Sequence, residues 1–239
     1  MKKKIITCAV PFSLVVLIIL VSSCREYVKL TPAPQALEIS DMNDAAVSAI
    51  AGVSVTVQAA AWKGATAIKG EVTPLKVTIE NNSGGDIRLS YTDFALISPT
   101  GEHFAALPPY AIEGSIEEPV TAEAHPGIIS PRFYHHGFTI SPYYSPFYDG
   151  LSVFDGPFYY DPYYYDRYYT YWEEIELPTL EMLQEALPEG VIEDKGKVIG
   201  FLYFETVSPD IKRVTFRMDV TNAKDGNILG SISIPFLVN

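Results

Sequence analysis

The sequence predicts an all-β fold, an antiparallel β-sandwich of seven to eight strands with one short helix and a long Tyr/Pro-rich insertion. Three observations predict it. Short stretches alternate apolar and polar side chains with a period of two, which puts one face of a strand in a core and the other in water. Gly, Pro, Asn and Asp punctuate those stretches at short intervals, as they do in sandwiches. Between the two halves of the pattern, one segment near residue 180 carries a helical repeat.

The elements follow in order. Val53, Val55 and Val57 alternate with Ser54, Thr56 and Gln58, and Leu75, Val77 and Ile79 with Lys76, Thr78 and Glu80. Ile87, Leu89 and Tyr91 alternate with Arg88 and Ser90. Asn81-Asn-Ser-Gly-Gly-Asp lies between the last two, and these residue types accept the positive φ of a hairpin loop. Phe94 to Ile97 starts another strand, closed by Ser98-Pro-Thr-Gly, with Pro and Gly at the positions a turn favours. His103 to Leu107 completes that hairpin. Val198 to Phe204 is almost continuously apolar, as in a central strand covered on both faces. Val214, Phe216, Met218 and Val220 alternate with polar residues, Asp225-Gly-Asn turns the chain, and Ile232, Ile234 and Phe236 close the pattern. The helix begins at a Thr179 cap, shares Leu180, Leu183 and Leu187 on one face, and stops at Pro188 and Gly190.

Before this domain the chain reads as an export signal. Met1-Lys-Lys-Lys precedes an apolar run from Ile5 to Val21 and then Ser22-Ser-Cys. A basic start, an apolar centre and small residues before a cleavage point are the parts of a leader. The position of Cys24 resembles the lipobox of bacterial lipoproteins. That resemblance implies a signal peptide over 1–23, diacylation of the Cys24 thiol, and membrane attachment by lipid. Arg25 rather than Asp after the cysteine resembles the sorting pattern for the outer membrane, facing the periplasm or the cell surface. The same residues also fit a short transmembrane anchor or an ordinary secretory leader. Residues 24–52 read as the lipidated cysteine and a tether, because Thr31-Pro-Ala-Pro-Gln favours extended backbone. Asp41 to Ala51 fits either a short helix or an edge segment.

Charge excludes one class of partner. With Lys2, Lys3 and Lys4 lost with the leader, 14 basic residues face 29 acidic ones, a formal net charge of −15. Such a surface repels nucleic acid and anionic lipid, and no Lys/Arg run exists to counter that. Cys8 leaves with the leader and Cys24 carries lipid, so the domain over 53–239 is stable through its core and without a disulfide.

The insertion spans 126–176. From Phe133 to Trp172, 18 of 40 residues are aromatic, and 12 of the 16 tyrosines lie there, so a feature of this chain is concentrated in one connection. Its prolines block long helices and central strands. Tyrosine offers a broad apolar ring and a hydroxyl at low entropic cost, which suits contact surfaces. The candidate partner-binding residues are therefore Tyr143, Tyr144, Tyr148, Tyr159, Tyr160, Tyr163, Tyr164, Tyr165 and Trp172, against an envelope protein or, alternatively, a peptidoglycan or polysaccharide glycan. The bland alternatives are rings folded back over one sheet, or a tolerated low-complexity expansion.

Catalytic patterns are lacking. His103, His125, His135 and His136 form no metal-binding spacing, and adjacent His135 and His136 would point to opposite faces of a strand. Gly150-Leu-Ser-Val-Phe lacks the second glycine of a nucleophile elbow. Glu173, Glu174 and Glu176 beside Trp172 read most simply as a solvated face. The expectation is no enzyme, no cofactor and no metal.

Two further stretches carry a resemblance. Thr73-Pro-Leu-Lys-Val-Thr-Ile-Glu-Asn-Asn-Ser with Ser90-Tyr-Thr-Asp-Phe-Ala-Leu-Ile-Ser-Pro-Thr-Gly-Glu-His-Phe resembles the first half of the telokin-like Ig-fold domain of secreted bacterial lipoproteins. Lys195-Gly-Lys-Val-Ile-Gly-Phe-Leu-Tyr-Phe-Glu resembles its later strand. The resemblance covers about residues 53–110 and 190–238 and implies an Ig-like sandwich, with Asp93 and Phe94 fixing the fold. It implies no catalytic residue. The long insertion departs from that pattern.

Overall fold

The computed structural model describes residues 27–42, 44–64, 68–109, 112, 130–142, 144–145, 148–156 and 180–239. The chain is mostly β, and every ladder between its strands is antiparallel. The strands are β1 (Leu30–Pro32), β2 (Leu37–Glu38), β3 (Ala45–Ile50), β4 (Val53–Gln58), β5 (Val72–Asn81) and β6 (Ile87–Leu89). They continue with β7 (Phe94–Ile97), β8 (His103–Leu107), β9 (Tyr134–Ile140), β10 (Gly190–Glu205), β11 (Arg213–Asn222) and β12 (Ile228–Val238). Among the described residues two short α-helices, α1 (Ile68–Glu71) and α2 (Leu180–Glu185), interrupt them. Among the described residues no helix is long and apolar enough to cross a membrane.

One ladder runs β1-β12-β11-β7-β8-β10-β5-β4-β3-β2, with β6 bridging β10 and β11 and β9 added to β10. It folds over on itself. Inward side chains of β4 and β5 (Val53, Val55, Val57, Leu75, Val77, Ile79) share a core with those of β11 and β12 (Phe216, Met218, Ile232, Ile234, Phe236). The two ends of the path meet: a Cβ at Gly230 of β12 would lie 2.6 Å from Ile50 Cδ1 of β3, so a larger residue there would make that side chain shift.

The period-two stretches become strands as predicted. Val53, Val55 and Val57 are fully buried while Ser54, Thr56 and Gln58 are not. The apolar run in β10 is covered on both faces. Leu202 and Phe204 enter the main core. Phe201 and Tyr203 enter a second cluster with Trp62, Ile68, Met182 and Ala186. Trp62 meets Phe201 edge-on at 5.1 Å and Tyr203 at 5.8 Å. The helix expected near 180 forms, with Leu183 and Leu187 in the main core.

Three expectations change. Among the described residues the strand count is twelve rather than seven to eight: β1 and β2 lie in the stretch read as a tether, β3 in the segment read as a helix or an edge segment, and β9 in the insertion. The stretch read as a tether is part of the sheet from Leu30 onward: β1 pairs with Phe236–Val238 and β3 pairs along its length with β4. The fold therefore begins before residue 53. Lastly, Tyr91 leaves the expected strand at Leu89 and opens a 3-10 turn, Tyr91–Asp93. The Asp93 carboxylate accepts the Ser90 N–H at 3.0 Å and holds the chain in that turn.

Candidate functional site

The described part of the aromatic segment is fastened to the domain and is not a free loop of rings. Its first residues form β9, where Phe138 and Ile140 point into the core and Tyr134, His135 and His136 are exposed. β9 pairs with β10 at 190–192 and again at 197–199, across an irregularity between Ile192 and Lys197. Two glycines allow that crossing. Gly137 has φ +55°, and a side chain on Gly196 would lie 2.4 Å from the Gly137 carbonyl oxygen.

Past β9 the chain turns back on the same surface. The Ser141 N–H donates to the Glu189 carbonyl at 3.0 Å, the Tyr144 N–H to Ser141 at 3.0 Å, and the Tyr148 N–H to Tyr144 at 3.2 Å. This brings Tyr144 and Tyr148 to the same side, with ring centroids 6.2 Å apart. Phe133 packs edge-on against Phe138 at 6.4 Å and Tyr148 at 6.1 Å. Tyr148 Oη donates to the Leu183 carbonyl at 3.0 Å, tying the segment to α2.

Tyr144 and Tyr148, predicted as partner contacts, are therefore core residues, 1% and 3% exposed. Composition counts rings without saying which way they face, and these two fold inward because β10 and α2 offer an apolar surface. Tyr143, Tyr159, Tyr160, Tyr163, Tyr164, Tyr165 and Trp172 lie outside the described residues, as do Cys24, His125, Glu173, Glu174 and Glu176. The exposed aromatic of the described segment is Tyr134, at 54%. Among the described residues no group of three His, Cys, Asp or Glu side chains could hold a metal ion.

A buried polar cluster lies beside this segment, and sequence reasoning did not find its centre. Glu189, 2% exposed, accepts the Ser90 hydroxyl at 2.7 Å and the Tyr91 N–H at 2.9 Å through Oε1. Tyr91 Oη donates to the Leu187 carbonyl at 2.6 Å. Asp93 faces Arg88 at 3.7 Å and accepts the Thr221 hydroxyl at 3.4 Å. The gap lined by Ser90, Tyr91, Phe94 and Glu189 has no room for a water molecule. The cluster joins the 3-10 turn to the α2–β10 junction. The signal for it in the sequence was Glu189 itself, a lone acid among apolar neighbours in Leu187-Pro-Glu-Gly.

Burial pushes the Asp93 carboxyl up from 3.8 to about 6, outweighing the opposing pull of Arg88. The folded chain thus holds this proton more tightly than the unfolded chain. The resulting stability is fully present below pH 3.8 and is lost as pH rises through about 6. Asp93→Asn stays neutral throughout. The stability of the wild type relative to that variant falls by about 2–3 kcal/mol between about pH 4 and about pH 7. Urea unfolding of both proteins at the two pH values checks this, and a constant difference refutes it.

No protein-family model matches this chain, and neither a curated protein nor a solved structure shows significant similarity to it.

Proposed function

We propose that the protein is a lipid-anchored, non-catalytic module of the cell envelope, with an Ig-like sandwich that presents its aromatic segment to an envelope partner. The observation that carries the presenting role is the footing of that segment. Phe133, Phe138, Tyr144 and Tyr148 bind its first part to the core, while Tyr134 stays exposed on β9 beside the remaining tyrosines in sequence. Fixing one end of an aromatic surface reduces the entropy lost when a partner orders it. The anchor rests on the leader and the position of Cys24, and the Ig-like reading on the main core shared by the two halves of the folded sheet. On this reading the two acyl chains of a processed cysteine hold the domain stably at a membrane.

Deleting all of 126–176 would remove β9 and two core tyrosines, so the deletion that tests this reading is narrower. The full chain, a version lacking 157–176 and a Cys24→Ala variant are expressed in parallel, fractionated and crosslinked in cells. Cys24→Ala is expected to give a soluble or an uncleaved form, and the deletion to stay in the membrane fraction but lose a crosslinked partner. A Cys24→Ala chain that is cleaved and extracted from the membrane as the full chain is overturns the anchor. Identical partners from the deletion and the full chain overturn the role of the aromatic segment.

A further inference from the structure

We propose that the groove between residues 27–30 and the start of β5 binds an amphiphilic anion with a single acyl chain. The groove encloses about 290 Å³, at the lower end of the volumes that take small ligands. That size suits one chain better than two. Val28, Leu30, Ala59, Ala60, Pro74 and Leu75 are the apolar residues that dominate its lining. Two hydroxyl-bearing residues line it: Tyr27, at the mouth, and Thr73, which already donates to the Glu205 carbonyl at 3.4 Å and accepts the Val207 N–H at 3.3 Å. A sugar or nucleotide would lose its water without gaining partners on such a lining. A hydrocarbon tail gains by leaving water.

The mouth has the opposite character. Lys69 Nζ sits 5.3 Å from the centroid of the Tyr27 ring, and Lys29 lines the same opening. Lys29 pairs with Asp44 at 3.3 Å while its side chain stays 60% exposed. An ammonium has three donors, so this contact leaves room for a second acceptor. In a chain of net charge −12, two of 17 basic residues, Lys29 and Lys69, line this one groove. Cation and apolar lining together select a carboxylate or phosphate carried on an acyl tail. The binding chemistry does not depend on the proposed anchor. With the anchor, Tyr27 follows Cys24 by three residues, at most about 11 Å of extended chain, which keeps the mouth at the membrane surface. Single-chain amphiphiles are concentrated there.

The test uses the full chain in non-ionic detergent and a fatty acid bearing a diazirine on its tail, with the crosslinked residues mapped by mass spectrometry. Labelling is expected within 27–30 and 72–75. Excess palmitate should suppress it, and palmityl alcohol, which lacks the charge, should not. Lys69→Glu is expected to weaken capture about tenfold, the loss of one charge-assisted hydrogen bond. Ala60→Trp, at the opening, should block capture. Circular dichroism confirms that both variants fold. Labelling spread over the whole chain overturns the proposal, as does equal competition by the alcohol or labelling unchanged in both variants. Membrane release of Cys24→Ala is read separately, so failure of the anchor and failure of the groove are distinct results.

Discussion

Asn81→Ala is expected to lower the unfolding free energy by about 3–4 kcal/mol, a large loss for a residue in a turn sequence. Asn81 is fully buried at the end of β5. The two hydrogens of its Nδ2 are shared among the carbonyls of Gly85 at 2.7 Å, Ile192 at 3.0 Å and Glu193 at 3.0 Å, so at least one is bifurcated. Its Oδ1 accepts the Ser83 N–H at 3.1 Å and the Ser83 hydroxyl at 2.7 Å. One amide thus closes the β5–β6 loop and pins it to the irregular part of β10, 111 residues away. Alanine removes the donor from all three carbonyls at once. Asn81→Asp discriminates hydrogen bonding from shape. Its carboxylate would aim oxygen at three carbonyl oxygens, so its loss should exceed that of alanine near neutral pH. That excess should shrink as acid restores one O–H. Urea unfolding at two pH values reads both effects. Variants within about 0.5 kcal/mol of wild type would show that the loop holds itself.

The same residue shows how far the sequence could be read. Asn81-Asn-Ser-Gly-Gly-Asp was legible as a loop because its residue types accept positive φ, and Gly84 does so at +82°. That its first side chain reaches a strand beyond the aromatic insertion was not legible, because local spacing carries no information about a distant carbonyl. The same limit explains the strands. β4, β5, β11 and β12 alternate Val, Ile or Phe with Thr, Lys or Arg, a contrast strong enough to read. β3 uses Ala45 and Ala46 where its neighbours use valine, so its alternation has little amplitude. Its hairpin hides too: Ala51 and Gly52 both have positive φ, at 50° and 80°, as a two-residue turn requires. Alanine there masks the usual Asn-Gly signal. In β1, Pro32 argued for a tether. The strand pairs only with β12, at the end of the ladder path, where a missing N–H leaves no second ladder incomplete.

Compositional bias hid the site in another way. Tyr134-His-His-Gly-Phe-Thr-Ile contains the alternation of Phe138 and Ile140, but the surrounding rings made the whole segment read as irregular. Tyr144 and Tyr148 stand four residues apart, the spacing that places side chains on one side of a helical turn. That spacing was visible, and it points to packing as readily as to a partner. Only a surface to pack against decides between them, and Leu183 and Leu187 of the α2 region supply it.

Tyr148→Ala is therefore expected to cost about 3–5 kcal/mol, the range for removing a large buried ring. A tyrosine serving only as a contact for a partner would cost almost nothing on truncation in the isolated chain. Tyr148 instead lies 3% exposed against Phe133 and Tyr144, and its hydroxyl reaches the Leu183 carbonyl at 3.0 Å. Tyr148→Phe keeps the ring and loses that hydrogen bond, for about 1 kcal/mol. The pair of variants separates ring packing from the polar tip, and urea unfolding measures both. If Tyr148→Ala leaves stability within about 0.5 kcal/mol of wild type, the ring is not part of the core and the segment lacks the footing described. If the loss is as expected and Tyr148→Phe still captures the same crosslinked partner, contact falls to rings beyond Gly156. The inner tyrosines then act by holding that surface in place.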